Sequence, residues 1–497
     1  MKTILWIGCL LRCVVLGFEV QAQEPYNSNE TAKLRQFLLQ ESAEPGVKNY
    51  QQLGVESMDG INWGLVAGLS WSNNNTRSLN GVDWQNKKLS GNMDFSDFQT
   101  LQALYCSSNM INSVNVTGAV LLRAIDFYGN NLEALDVTTN NKLTFLRVTH
   151  NNIKEIDLSN NPELTFICCT NNSVKSLDFS NNKKIETIYC INNELSYINV
   201  RNCPRLEELL CPANNLTEID ISNKEFLFDF ACARNNLSSL NVVNCPVLPS
   251  IDCSDNELEV LDLAGCTALH TVKCYNNRLK ELYIEDCLLL ETLVCNNNLL
   301  DSLKLPESSS LSVLNCKDNN LDFCTLPPIL PDYTEYIYSP QHNRTTEAVI
   351  DSADFSRYYE LDGIISRYTW NKGLTWIKPE MRENGIFVFD ESYAEIDLIC
   401  RIENNTFPKM VLRYDVTMKR RDVSNPVTEE PSTGSVYAGK GFVHVVTASP
   451  ADVGIYSTGG KCVYYNNVRE GRTDIPLNPG IYVVSVSGRH GKAVHVK

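Results

Sequence analysis

The sequence predicts a mainly β (α+β) solenoid built of 21-residue units, followed by two small β-sandwich domains. Three observations carry that prediction. Residues 101–321 repeat every 21 residues without insertion or deletion, as L-x-x-L-x-C-x-x-N-x-L-x-x-L-D-L-x-x-N/C-x-x. Units start at Leu101, Leu122, Leu143, Leu164, Ile185, Leu206, Leu227, Leu248, Leu269, Leu290 and Leu311, and Asn holds the ninth place of each, from Asn109 to Asn319. After Cys324 the period stops and short strand-like runs separated by turns take over. A register kept that strictly requires each unit to stack on the next with the same places facing inward.

The elements follow in chain order. Residues 1–22 read as a secretory signal: Lys2, an apolar stretch over 4–18 interrupted by Arg12, and the small-residue site Val20-Gln21-Ala22. Residues 23–100 read as an N-terminal cap. Leu34, Phe37 and Leu38 lie on one face of a short helix, with a polar N-cap at Ser28-Asn29. Leu79, Val82, Trp84 and Leu89 fit a degenerate first unit that is one residue too long. Terminal units must cover the open end of the core and so depart from the consensus.

In the solenoid, residues 101–325, L-x-x-L-x-C is a strand. Its first, fourth and sixth places point in, and its third, fifth and seventh point out. The ninth-place Asn turns the chain and bonds backbone groups of its own and the adjacent turn. At ~4.8 Å per strand, eleven units span on the order of 50 Å. The exit Leu326-Pro327-Pro328-Ile329-Leu330-Pro331 is stiff. Residues 332–422 then read as a β-sandwich with strands at 334–338, 364–370, 385–389, 396–402 and 410–418. Residues 423–435 are a linker, and 436–497 a last small β-domain.

The cysteines number 19, an abundance that in a secreted chain usually means disulfides. Their spacing says otherwise. Cys106, Cys169, Cys190, Cys211, Cys232, Cys253, Cys274, Cys295 and Cys316 all hold the sixth place, with Phe127 and Val148 in the other two units. Exchange with Phe and Val marks a buried apolar slot, which a free thiol fills as a small hydrophobe. Side chains stacked with parallel Cα–Cβ vectors suit the disulfide dihedral poorly. A second row stands at the nineteenth place: Asn140, Asn161, Asn182, then Cys203, Cys245, Cys266 and Cys287.

The chain carries 59 acidic against 43 basic residues, a formal net charge of −16. This argues against nucleic acid and against attachment to anionic lipid. No zinc-protease, nucleophile-elbow, P-loop or dinucleotide motif is present, so the sequence points to no catalytic residue, metal or cofactor. Asp136, Asp157, Asp178, Asp220 and Asp262 share the fifteenth place and could stack around Ca²⁺. Lys304 and Tyr283 break that row, which favours local capping of backbone N–H groups.

The 21-residue unit resembles bacterial leucine-rich repeats, and its sixth-place Cys and ninth-place Asn resemble the cysteine-ladder repeats of internalin J. Tyr338-Ser339-Pro340-Gln341, Tyr368-Thr369-Trp370, Gly385-Ile386-Phe387-Val388-Phe389 and Asn404-Asn405-Thr406-Phe407-Pro408 resemble modules of secreted Bacteroidetes surface proteins. The C-terminus resembles a type IX secretion sorting domain. The segments that carry this are residues 453–460, Asn478-Pro479-Gly480-Ile481-Tyr482 and the terminal Val494-His495-Val496-Lys497. The resemblances imply a secreted or outer-surface binding protein.

The outward places locate the expected site. Tyr105, Tyr128, Phe145, Phe166 and Tyr189 cluster on the strand face of the first five units, with Arg147 and Asp126 as polar contacts beside them. Large aromatics on one face commonly mark a docking surface. The expected ligand is a protein, with a glycan as the second class, and the chain is expected to act as a monomer with no membrane span. Two other readings stand beside this one. The chain could be a structural spacer with no ligand, or a hydrolase with its activity in 332–422. The six scattered His residues and paired acids such as Glu207-Glu208 read as ordinary surface positions.

Overall fold

The computed structural model describes residues 26–420 apart from 74, 308, 309 and 351, and beyond 434 the seven strands between 435 and 496 together with Leu477. It divides into two compact units, Met1–Met418 and Lys419–Lys497. The expected signal over 1–22 and the expected linker up to residue 434 lie outside the described residues. No helix among the described residues is long and apolar enough to cross a membrane.

The first unit opens with helix α1, Ser28–Leu38. Its N-cap is Asn27, one residue before the expected pair: Oδ1 accepts from the backbone N–H of Asn29 and Glu30. Leu34, Phe37 and Leu38 are buried as the pattern required. Phe37 stacks on Trp84 at 5.8 Å between centroids. The Glu30 carboxylate accepts from the Leu79 N–H at 2.7 Å, and burial pushes its pKa up.

A 14-stranded sheet is the spine of this first unit. Leu69–Trp71 starts it, antiparallel to Leu79–Asp83. From Leu79–Asp83 onward every pairing is parallel and in register, one unit to the next. The degenerate first unit is therefore a full rung, with Leu79, Val82 and Trp84 buried at the first, fourth and sixth places. Within each repeat the strand is only three residues long, places three to five, as in Ala103–Tyr105 and Thr187–Tyr189. The second half of the unit pairs only in places, as Ser176–Asp178 with Tyr197–Asn199.

Side-chain ladders rather than long strands hold the rungs. The residue at the eighth place is left-handed in all eleven units, with φ between 53° and 64°, and only Gly129 is a glycine there. That conformation is unfavourable for L-residues, so something must hold it. The next residue does. Asn214 Nδ2 donates to Cys190 O at 3.0 Å and to Cys211 O at 3.1 Å, while Oδ1 accepts from the Leu195 N–H at 3.0 Å. Each ninth-place amide thus serves backbone groups of its own unit and of the preceding one. The sixth-place Cys, Phe and Val are fully buried, and the ladder thiols are free. Burial pushes the Cys211, Cys253 and Cys316 thiols up to about 12, which keeps them protonated and inert.

The nineteenth-place row contains a residue the pattern did not announce. Lys224 stands buried between Cys203 and Cys245, its Nζ donating to Arg201 O at 3.0 Å. Asn140, earlier in the row, donates to Val116 O and Ala119 O. Cys245 Sγ donates to Ile221 O. All three side-chain types act there as donors to the neighbouring turn.

The solenoid also runs further than expected. Glu335–Ile337, expected in the sandwich, pairs parallel with Val313–Asn315 as a further rung. Gln341 does the work of the ninth-place Asn. Its Oε1 accepts from Asn319 and Leu321 N–H, and its Nε2 donates to Cys316 O and Tyr338 O. A fixed 21-residue period does not reveal this unit, which starts one residue late, at Tyr333, and carries Tyr336 and Tyr338 where Leu and Cys are usual.

The following sandwich has a five-stranded sheet in the order Arg344–Val349, Val411–Lys419, Asp397–Glu403, Arg367–Lys372, Thr375–Ile377. A three-stranded sheet, Ala353–Asp354, Ile386–Val388, Glu380–Glu383, faces it. Trp370 packs edge-on against Phe355, Phe387 and Phe389 in the core. The sandwich closes the C-terminal end of the solenoid. Fully buried Asp322 receives the Tyr358 hydroxyl at 2.9 Å and the Arg357 and Arg344 guanidinium groups at 3.1 and 3.4 Å.

The second unit has one three-stranded and one four-stranded antiparallel sheet. Val443, Val445, Val453, Ile455, Val468, Ile475 and Val484 make its core.

Candidate binding face

In-register parallel pairing puts equal places of successive units one strand spacing apart, ~4.8 Å, so a side chain repeated at one place must stack on its copy. Phe145 and Phe166 are register partners at the third place. Their rings stack with centroids 4.7 Å apart and planes inclined by 6°. Tyr189 meets Phe166 edge-on at 5.9 Å. At the fifth place Tyr105, Asp126, Arg147, Cys168 and Tyr189 follow one another across five strands. Tyr128, at the seventh place, is 38% exposed and meets the His150 ring edge-on. The Arg147 guanidinium lies over the Tyr128 ring at 5.7 Å.

The structure brings the expected residues together on one face but changes the part some of them play. Tyr105, Phe145, Phe166 and Tyr189 are half-buried, and the last three pack ring against ring along the ladder. Asp126 is not an outward contact. It is buried, binds Arg147 through both oxygens and accepts from the Tyr128 N–H at 3.1 Å. That carboxylate raises the Arg147 pKa and fixes the guanidinium over Tyr128, leaving the arginine side chain 40% exposed. His150 is a left-handed turn residue bonded to the Asn171 amide.

Charged residues read from the sequence as ordinary surface positions adjoin the aromatics. Tyr189 Oη donates to the Glu208 carboxylate, and burial together with that carboxylate raises the tyrosine pKa. Glu208 is the register partner of Asp229 on the next strand. Glu186, Glu207, Glu208 and Asp229 are all half-buried rather than freely solvated. Burial and the Glu208 charge push the Asp229 carboxyl above its usual range. The signal was present in the sequence as acids at the second and third places of consecutive units.

The fifteenth-place acids act locally. Asp136, Asp157, Asp178 and Asp262 each accept from the backbone N–H two residues on, at 2.9 Å. The Thr138 hydroxyl and amide hold the Asp136 carboxyl below its usual range. No group of three or more metal-ligating side chains occurs among the described residues.

Period, rung register, and the Cys and Asn ladders define the fold as a leucine-rich-repeat solenoid. No protein-family model and no curated protein matches the chain. Among solved structures, the functional domain of InlJ from Listeria monocytogenes, which includes a cysteine ladder, is similar at 18% identity and a TM-score of 0.38. The match covers 69% of this chain and 91% of that one. The leucine-rich repeat domain of APL1B is similar at 21% identity and a TM-score of 0.39, over 51% of this chain and 77% of that one. The Arabidopsis receptor kinase HAESA, in complex with the peptide hormone IDA and the co-receptor SERK1, is similar at 17% identity and a TM-score of 0.40. That match covers 65% of this chain and 63% of that one.

Proposed function

We propose that this chain is a binding protein, secreted or held at the outer cell surface, that docks a macromolecular ligand on the strand face of its first five repeat units. The ligand is a protein, and the role is adhesion or host–microbe interaction by a monomer. In this reading Tyr105, Tyr128, Phe145, Arg147, Phe166 and Tyr189 form the contact surface. The C-terminal unit is a sorting or anchoring domain, as its likeness to type IX sorting domains suggests. The observation that carries the proposal is the Phe145–Phe166 stack, flanked by Tyr189 and by an arginine pinned over Tyr128. Rigid aromatic groups beside a fixed guanidinium are the side chains that most often dominate interface energies.

The test is capture by the full chain and by a Phe145→Ala/Phe166→Ala variant from host and bacterial surface extracts. A protein retained by the first and lost by the second is then titrated in purified form. Equal retention by both chains, with the variant's circular dichroism unchanged, overturns the assignment of the face.

A further inference from the structure

We infer that the occupant of this face is a cationic, extended segment of a partner protein, with apolar side chains on Phe145 and Phe166 and lysine or arginine side chains on Glu207, Glu208 and Asp229. The inference rests on the binding reading above and adds the partner's charge and layout.

Phe145, Phe166, Thr187, Glu208 and Asp229 are register partners on five successive strands and form a single row. Four steps of ~4.8 Å make the row ~19 Å long, the span of about six residues of extended chain. One end of the row is aromatic and the other acidic. Glu207 flanks Glu208, and Glu186 holds the same place as Glu207 one unit earlier. None of these four carboxylates makes an ion pair with Lys or Arg among the described residues, whereas Arg147, beside the aromatic end, is already neutralised by Asp126. Half-buried like charges on adjacent strands repel each other, and a cation brought by a ligand turns that repulsion into attraction. An acidic ligand would meet the same carboxylates unfavourably. A neutral sugar would find the Tyr189 hydroxyl already committed to Glu208. A small polycation would leave the stacked rings uncovered, so a protein segment with an apolar part fits best.

Three fluorescein-labelled octapeptides test this by anisotropy against the full chain. Each has two leucines at one end and, after serines, either two lysines, two glutamates or two further serines at the other. The lysine peptide is expected to bind about tenfold tighter than the serine peptide, with the preference shrinking as salt rises. Glu207→Gln/Glu208→Gln/Asp229→Asn removes the preference. A control of equal charge change, Glu133→Gln/Glu155→Gln/Glu281→Gln, alters exposed acids in the second half of the repeat and keeps it. Equal weakening by the two triple variants would show diffuse attraction to an acidic protein and overturn the inference. Equal binding of all three peptides, lost in Phe145→Ala/Phe166→Ala, overturns the charge assignment and leaves the aromatic face standing. Absence of binding by every peptide overturns the layout, while the capture experiment judges the face independently.

Discussion

Strands Phe145–Arg147 and Thr292–Val294 have the same length, the same parallel register with their neighbours and the same fully buried central leucine, Leu146 or Leu293. Their outward residues share nothing. The first shows a stacked phenylalanine and an arginine pinned by a buried carboxylate; the second shows a threonine and a valine. The backbone and its ladders are therefore indifferent to the outward places, and chemistry can change there without loss of the fold. Local departure from the repeat on that face is the place to look for function.

The comparison can be broken most forcefully at the ninth place. Asn151 and Asn298 make equivalent bonds in the two regions: Nδ2 to Phe127 O and Val148 O in one, to Cys274 O and Cys295 O in the other, each with Oδ1 accepting a backbone N–H. Asn151→Ala and Asn298→Ala should each destabilise by about 3 kcal/mol, at roughly 1 kcal/mol per lost buried bond. Urea unfolding followed by circular dichroism measures this, and a cost confined to one region would mean that the two scaffolds differ.

At the fifth place the regions should diverge. Arg147→Ala leaves the Asp126 carboxylate buried without its partner, a loss of about 2 kcal/mol after allowing for the arginine's exposure. Lys273→Ala, at the same place on an exposed side chain, should change stability by less than about 0.5 kcal/mol. Thermal unfolding of the pair, with Asp126→Asn added to rescue Arg147→Ala, decides it.

A smaller difference is expected at the third place. Phe166→Ala loses two ring contacts, about 1 kcal/mol beyond its area term, whereas Thr292→Ala loses none. The smallest effect has the opposite sign. Asp229→Asn should stabilise by about 0.5 kcal/mol at neutral pH, since it removes a like-charge pair across adjacent strands. The folded pKa of Asp229 is raised, so the protonated form is the one the fold favours. That stability is fully present below the ordinary aspartate value of 3.8 and is lost as pH rises through the higher folded value. The advantage of Asn should therefore vanish in acid, and a stabilisation that persists there would point to another cause.

The regular parts of the solenoid were legible in the sequence. Every unit with Leu at the first place, Cys, Phe or Val at the sixth and Asn at the ninth is a rung, and the degenerate unit from Leu79 was readable by its spacing. The unit from Tyr333 was not, because a single extra residue and a Gln for Asn hide it from a fixed-period reading. Strands Arg344–Val349, Thr375–Ile377 and Glu380–Glu383 of the sandwich are likewise not legible in the sequence pattern. The first alternates half-buried with exposed residues and the last is exposed throughout, so neither carries a strong apolar signal. For the candidate face, the aromatic residues were legible and the burial of Asp126 was not.

The sequence by itself determined the period, the inward side chains and the two ladders. In a stack of identical turns, a place that is buried once must be buried every time, so the pattern is its own evidence. Only the tertiary structure decided which residues 21 positions apart compensate one another: Asp126 with Arg147, Phe145 with Phe166. It also decided that Glu208 and Asp229 are register partners, with no Lys or Arg ion-paired to either among the described residues. Those outcomes depend on the distance between rungs and on which outward side chains happen to face each other across it. A strand spacing of ~4.8 Å turns neighbours into partners or into rivals, and no single unit carries that information.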